Sequence, residues 1–162
     1  MKLPPFPSSD DAFLHGADGR AAWFGLIYVQ GLLVKKINKA LKTEHDLALS
    51  WFEVILRLAA EDSFVSVSNI VETVSLSSSR VSRVIEGLQQ RGLVRRRQGE
   101  RDARVSEIAL TEAGLAFYKA ADATHRRVVN EYFLGKLSPE EAEVVARVWH
   151  RLLGEAVGSG PG

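Results

Sequence analysis

From Arg20 to Lys42 apolar side chains recur at three- and four-residue spacing, at Trp23, Leu26, Ile27, Val34, Ile37 and Leu41. That period predicts an amphipathic helix. Lys35, Lys36, Lys39 and Lys42 crowd its end, where positive charge suits the helix dipole. In LSWFEVILRLAAE, Ser50 followed by Glu53 reads as a capping box, so a second helix is expected from Trp51. Phe64 and Val65 suit a very short strand, and Ser66 can cap a short helix carrying Ile70, Val71 and Val74. LSSS then makes a turn in which Ser77 can cap the next helix.

That helix, about 78–91, has two distinct faces. Val81, Val84, Ile85 and Leu88 form an apolar stripe. The opposite face carries Ser79, Arg83, Glu86 and Gln90, flanked by Arg80 and Ser82. Gly92 stands where a left-handed residue closes a helix. Leu93-Val94 opens a strand and the β-branched VSEIAL is its partner, which makes RRRQGERDAR (95–104) the tip of a hairpin with Gly99 near the turn. Thr111 opens a long helix over 112–134, broken by Gly135, and Ser138, Pro139 and Glu141 announce a last helix. Residues 1–19, with Pro4, Pro5 and Pro7, read as an extended arm with at most a short helix, and 157–162 as a disordered tail.

Composition narrows the chemistry. The 162 residues favour one domain, and 46% hydrophobic content can build a core. The chain has no cysteine, which removes disulfides, thiolate metal sites, a catalytic cysteine and thiol redox sensing. There is no apolar run of membrane-spanning length and no signal-peptide core near the start, so a cytoplasmic protein with no membrane contact is expected. The formal net charge of +1 hides an asymmetry. Residues 80–104 hold eight arginines against Glu86, Glu100 and Asp102, a net +5, which leaves −4 on the rest of the chain. Such a segment suits a polyanion contact, although a solvated charged face has the same composition.

Short helix, turn, helix with small polar and basic residues at its start, then a basic hairpin: this order describes a winged helix-turn-helix, mainly α with a small β wing. The second helix has to be slim at its exposed end to enter a major groove, and Ser77, Ser78, Ser79, Arg80, Ser82 and Arg83 meet that need. Serine hydroxyls bond base edges or phosphates, and arginine can grip guanine bidentately. The hairpin then reaches the adjacent minor groove, whose negative potential attracts guanidinium. Arg95, Arg96 and Arg97 lie at the hairpin base, where they would neutralise phosphates, and Arg101 is nearest the tip. Asp102 would be repelled by phosphate, so its expected role is to hold the loop through Arg104; an ordinary turn aspartate is the plainer alternative.

The stretch SRVIEGLQQRGLVRRRQGERDARVSEIALTEAG resembles the signature region of the MarR family of transcriptional regulators. The matching elements are Ser82-Arg83, Leu88, the RGLV step at 91–94, the DAR triplet at 102–104, and Leu110-Thr111 with Gly114; the resemblance covers about 20–156. It implies a winged helix-turn-helix over about 50–110, and a homodimer joined through helices at about 20–42 and 112–154. It also implies binding to an inverted repeat in double-stranded DNA, usually as a repressor, and, more loosely, a small-molecule effector at the junction of the dimer and DNA-binding regions. The apolar surplus of the terminal helices fits a dimer.

An enzyme is disfavoured. His15, His45, His125 and His150 are scattered without metal-ligand spacing, and there is neither a nucleophile elbow nor a glycine-rich phosphate loop. His125 and His150 are expected on helix surfaces or at the dimer interface. No cofactor or bound metal is expected, although metal sensing through histidine and carboxylate stays open. So does a small aromatic or anionic ligand near Trp23, Trp51 or His45. A winged helix used for protein contacts would not need Arg80, Arg83, Arg101 and Arg104.

Overall fold

The apolar stripe of residues 78–91 is the inner face of a helix: Val81, Val84, Ile85 and Leu88 are all buried. The computed structural model describes residues 16–61, 63–99 and 104–158. In chain order the elements are α1 (Gly16–His45), α2 (Leu49–Ala59), β1 (Val65–Ser66), α3 (Val67–Thr73), α4 (Ser78–Gln90), β2 (Val94–Gln98), β3 (Ser106–Leu110), α5 (Glu112–Tyr132), a 3-10 turn (Leu134–Lys136) and α6 (Pro139–Gly158). They fall into two units, one within Met1–Leu33 and Arg127–Gly162, the other Val34–Arg126.

The unit Val34–Arg126 holds the winged helix. Phe52, Ile55, Leu58, Ile70, Leu88 and Ile108 are its fully buried centre. Its antiparallel sheet has the order β1-β3-β2. Val65 and Arg96 both pair with Ile108, so β3 is the middle strand. Arg57 of α2 donates to Asn69 Oδ1 (2.7 Å) and Thr73 Oγ1 (3.1 Å) of α3, which fixes the angle between the two helices. Thr111 joins three segments. Its N–H reaches Leu93 O (3.1 Å), its hydroxyl donates to Gly92 O (2.7 Å), and the same oxygen accepts from Gly114 N–H (3.0 Å). Gly92 has φ 69°, so it is the left-handed residue that ends α4.

Several expectations on element ends need correction. The first helix runs from Gly16, not Arg20, and so takes in the last residues assigned to the arm. Asp18 in the first turn favours this extension and Ala17 suits it, although Gly19 does not. Residues 1–15 and 159–162 lie outside the described residues. The capping box at Ser50 is not formed: α2 begins at Leu49 after Ala48, with no side-chain cap. Leu49 N–H is instead met by Asn38 Oδ1 of α1 at 2.9 Å, a tertiary partner that replaces the local one. Ser77 occupies the cap position of α4 but its hydroxyl lies 3.2 Å from Ser79 Oγ and makes no capping bond. Ser66 caps α3 as expected, accepting from Asn69 N–H at 3.2 Å.

In the other unit, Ser138 and Glu141 form the reciprocal box that opens α6: Glu141 N–H to Ser138 Oγ at 3.2 Å, Ser138 N–H to Glu141 Oε2 at 2.7 Å. Large apolar side chains stay open to solvent here, among them Trp23, Ile27, Leu134, Val144, Leu152 and Leu153.

His125 does not lie on an open helix surface. It is half-buried, with its ring 5.0 Å from that of Phe52. Burial lowers its pKa, and Arg126 adds to this while Asp122 opposes it. A base with a lowered folded pKa is protonated more readily in the unfolded chain. Its stabilising contribution is therefore complete above its ordinary value of 6.5 and is lost as pH falls toward the folded value. The denaturation midpoint should drop between about pH 7.5 and pH 5.5, near the ordinary histidine range, and His125→Gln should flatten that drop. An unchanged pH profile in the variant would assign the effect to another group.

Candidate nucleic-acid interface

With its stripe fixed in the core, α4 presents Ser78, Ser79, Arg80, Ser82 and Arg83 to solvent, every one of them exposed. Two features hold the helix in this pose. The ring of Trp51 lies against Gly87, where an added Cβ would sit 2.1 Å from Trp51 Cη2. At the far end, the Arg91 guanidinium stacks over Phe117 at 5.0 Å. Of the recognition-helix residues named from the sequence, these five and Ser77 at the cap position are thus all open to solvent. Trp51 is occupied by this packing.

The wing is more differentiated than its arginine run suggests. Side chains alternate along β2, so Arg95 and Arg97 lie on one face and Arg96 on the other. Arg97 Nε meets Glu107 Oε2 at 2.8 Å across the pair, and its guanidinium sits 4.0 Å from the centre of the Phe64 ring. Arg95 is 5.0 Å from the same ring. Phe64 precedes the edge strand β1, and Ala109, the partner of Arg95 on the middle strand, is 8% exposed. A small side chain at that position leaves room for a ring to reach from one edge of the sheet to the other. Arg96 donates to Ser106 Oγ at 2.5 Å. Arg96 also borders an open recess of about 510 Å³ with Gln89 of α4, Gln98 and Arg104, which Arg97 borders too. Gly99 N–H bonds Val105 O at 2.8 Å where the strands part.

Arg101 and Asp102 lie outside the described residues, so the pairing of Asp102 with Arg104 does too. Arg104 itself is exposed. The three arginines of the hairpin base, expected to neutralise phosphates, lie apart: Arg96 donates to Ser106, while the guanidinium groups of Arg95 and Arg97 gather at Phe64. Sequence reasoning missed Phe64 as a wing residue because it stands 31 positions before Arg95, and only the sheet order brings them together.

His45 is half-buried beside buried Thr124. Thr124 Oγ1 donates to Glu44 Oε2 at 2.8 Å, so the 2.8 Å contact between His45 Nε2 and Thr124 Oγ1 has the imidazole as donor. No helix among the described residues is long and apolar enough to cross a membrane.

Comparison with known proteins points the same way as this geometry. Residues 45–105 match the model of the MarR family. The HTH-type transcriptional regulator SarZ of Staphylococcus haemolyticus (strain JCSC1435) is 28% identical over 108 residues, covering 66% of this chain and 72% of that protein. Sco3205, a MarR family transcriptional regulator from Streptomyces coelicolor solved in complex with DNA, superposes with a TM-score of 0.78 at 20% identity, over 90% of this chain and 94% of that one. CouR from Rhodococcus jostii RHA1, bound to p-coumaroyl-CoA, gives a TM-score of 0.73 at 26% identity, over 87% and 95% of the two chains.

Proposed function

The chain belongs to the MarR family of winged helix-turn-helix regulators, and from that premise we propose that it is a DNA-binding transcriptional regulator which reads duplex DNA through α4. The observation that carries this is the exposed face of Ser79, Arg80, Ser82 and Arg83, backed by a fully packed stripe. A rigid helix with short hydroxyls and guanidinium at its open end can enter a major groove and meet base edges there. Arg96 and Arg104, on the same side as Gln89, approach the flanking backbone. The complex of Sco3205 with DNA supports this use of the fold.

The protein acts as a homodimer on an inverted repeat, as a repressor. Trp23 (52% exposed) and Leu153 (65% exposed) support the dimer, because apolar side chains of this size need a cover that the described residues do not supply. Sedimentation equilibrium at micromolar concentration should return twice the chain mass; a folded monomer would remove the dimer. A small-molecule effector releasing the DNA belongs to the same proposal, supported by CouR with its bound p-coumaroyl-CoA.

Arg83 is assigned to base readout. On a duplex selected from a randomised pool, Arg83→Ala should weaken binding by about 1–3 kcal/mol and relax the preference at one base pair. An equal loss on all duplexes would make Arg83 a phosphate contact.

A further inference from the structure

Two guanidinium groups share one aromatic ring on the wing. Arg97 lies 4.0 Å and Arg95 5.0 Å from the Phe64 centroid. Arg97 is also held by Glu107 at 2.8 Å, its register partner on β3. Cations over a ring face are attracted by its quadrupole, and the carboxylate of Glu107 offsets part of the repulsion between two like charges at one site. Arg95 borders a separate recess of about 500 Å³ with Leu58, Glu112 and Leu115, which involves α2 and α5 and no residue of α4. Arg96 instead borders the recess that includes Gln89 of α4, whose rim Arg97 also reaches, although the Arg97 guanidinium lies over Phe64. Arg95 and Arg96 therefore look onto different parts of the unit.

We propose that Phe64 is a positioning residue that gathers the guanidinium groups of Arg95 and Arg97 at its ring, so that these two arginines set the pose of the wing and do not neutralise phosphate. This rests on the reading of the protein as a DNA-binding regulator. Phosphate neutralisation falls to Arg80, Arg96 and Arg104. Phe64 then also limits indiscriminate DNA binding, because it keeps two mobile cations off the backbone of any sequence.

Two measurements on the full chain test this. The first needs no DNA. In a spectrum of the arginine side-chain Nε–Hε groups, ring current from Phe64 should displace the Arg97 signal, and that of Arg95 less. Phe64→Leu should abolish both displacements, while Phe64→Tyr keeps them. Undisplaced signals in the parent would overturn the proposal. The second is the salt dependence of binding to a random duplex. Arg95→Gln and Arg97→Gln should leave the slope of log affinity against log salt unchanged, whereas Arg96→Gln should flatten it by roughly 0.9 for each phosphate lost. Phe64→Leu should steepen it by up to about two such contacts. If Arg95→Gln and Arg97→Gln flatten the slope as Arg96→Gln does, the brace is wrong and DNA binding stands. If no variant alters it and the parent does not bind duplex DNA, the DNA-binding reading itself fails. Thermal melting of Phe64→Leu and Phe64→Tyr separates loss of the fold from loss of the ring.

Discussion

Gly114→Ala is expected to destabilise the protein by about 2 kcal/mol or more, although alanine is the better helix former. Gly114 sits in the first turn of α5, and its φ is not in the left-handed region, so the backbone would accept alanine and gain up to about 1 kcal/mol of helix propensity. The obstacle is spatial. A Cβ there would lie 1.9 Å from the carbonyl oxygen of Leu93, a backbone atom that already accepts from Thr111 N–H. Relief means moving the α4–β2 connection away from α5, and overpacking of this kind costs about 1–3 kcal/mol or more. Gly87→Ala is a useful contrast, since its obstacle at 2.1 Å is the Trp51 ring. A half-buried side chain can swing aside, so the smaller loss is expected there. Chemical denaturation of the two variants would check both the sign and the order. Stabilisation by Gly114→Ala would mean that the α4–β2 connection yields easily.

The second large effect concerns DNA affinity. If, as proposed, Arg83 reads a base and Arg80, Arg96 and Arg104 of each lobe meet phosphates, a homodimer makes six such contacts. Six phosphates predict a fall in affinity of about 10³-fold between 50 and 200 mM salt. Were Arg95 and Arg97 to bind phosphate as well, ten contacts would predict a fall nearer 10⁵-fold over the same range. An anisotropy titration on the selected duplex at four salt concentrations distinguishes these values. A flat response would remove the arginines of α4 and the wing from the interface altogether.

Where a local rule met a local need, the sequence was sufficient. The stripe of Val81, Val84, Ile85 and Leu88, the left-handed Gly92, the cap at Ser66 and the box of Ser138 with Glu141 all depend on residues within a few positions of one another. The misreadings arose where a distant partner outcompeted a near one. Ser50 and Glu53 have the spacing of a capping box, yet Asn38 on α1 reaches Leu49 N–H and the helix starts earlier. The arginine run was legible as charge, and strand alternation alone sets Arg95 and Arg97 opposite Arg96, but the ring that gathers the first two depends on Phe64, on the small Ala109 beneath its path, and on β3 lying between β1 and β2. No spacing rule within one segment contains that information. The identity of the exposed serines and arginines on α4 followed from periodicity alone, because the opposite face had to be buried.

The sheet order has one more consequence, for how copies of this chain behave in a crowded solution. Among the described residues β2 is an edge strand, with one side of its backbone paired to β3 and the other side open. Open edges invite strand addition by another molecule, the first step toward aggregation. Here three successive residues of that edge are arginine. A second β2 approaching it would bring six guanidinium groups together in one ladder, and like charges directly opposite each other oppose pairing. The opposite edge, β1, is only two residues long and offers little template. The same charges that serve the wing thus act as gatekeepers, and neutral variants of β2 should precipitate at lower protein concentration than the parent.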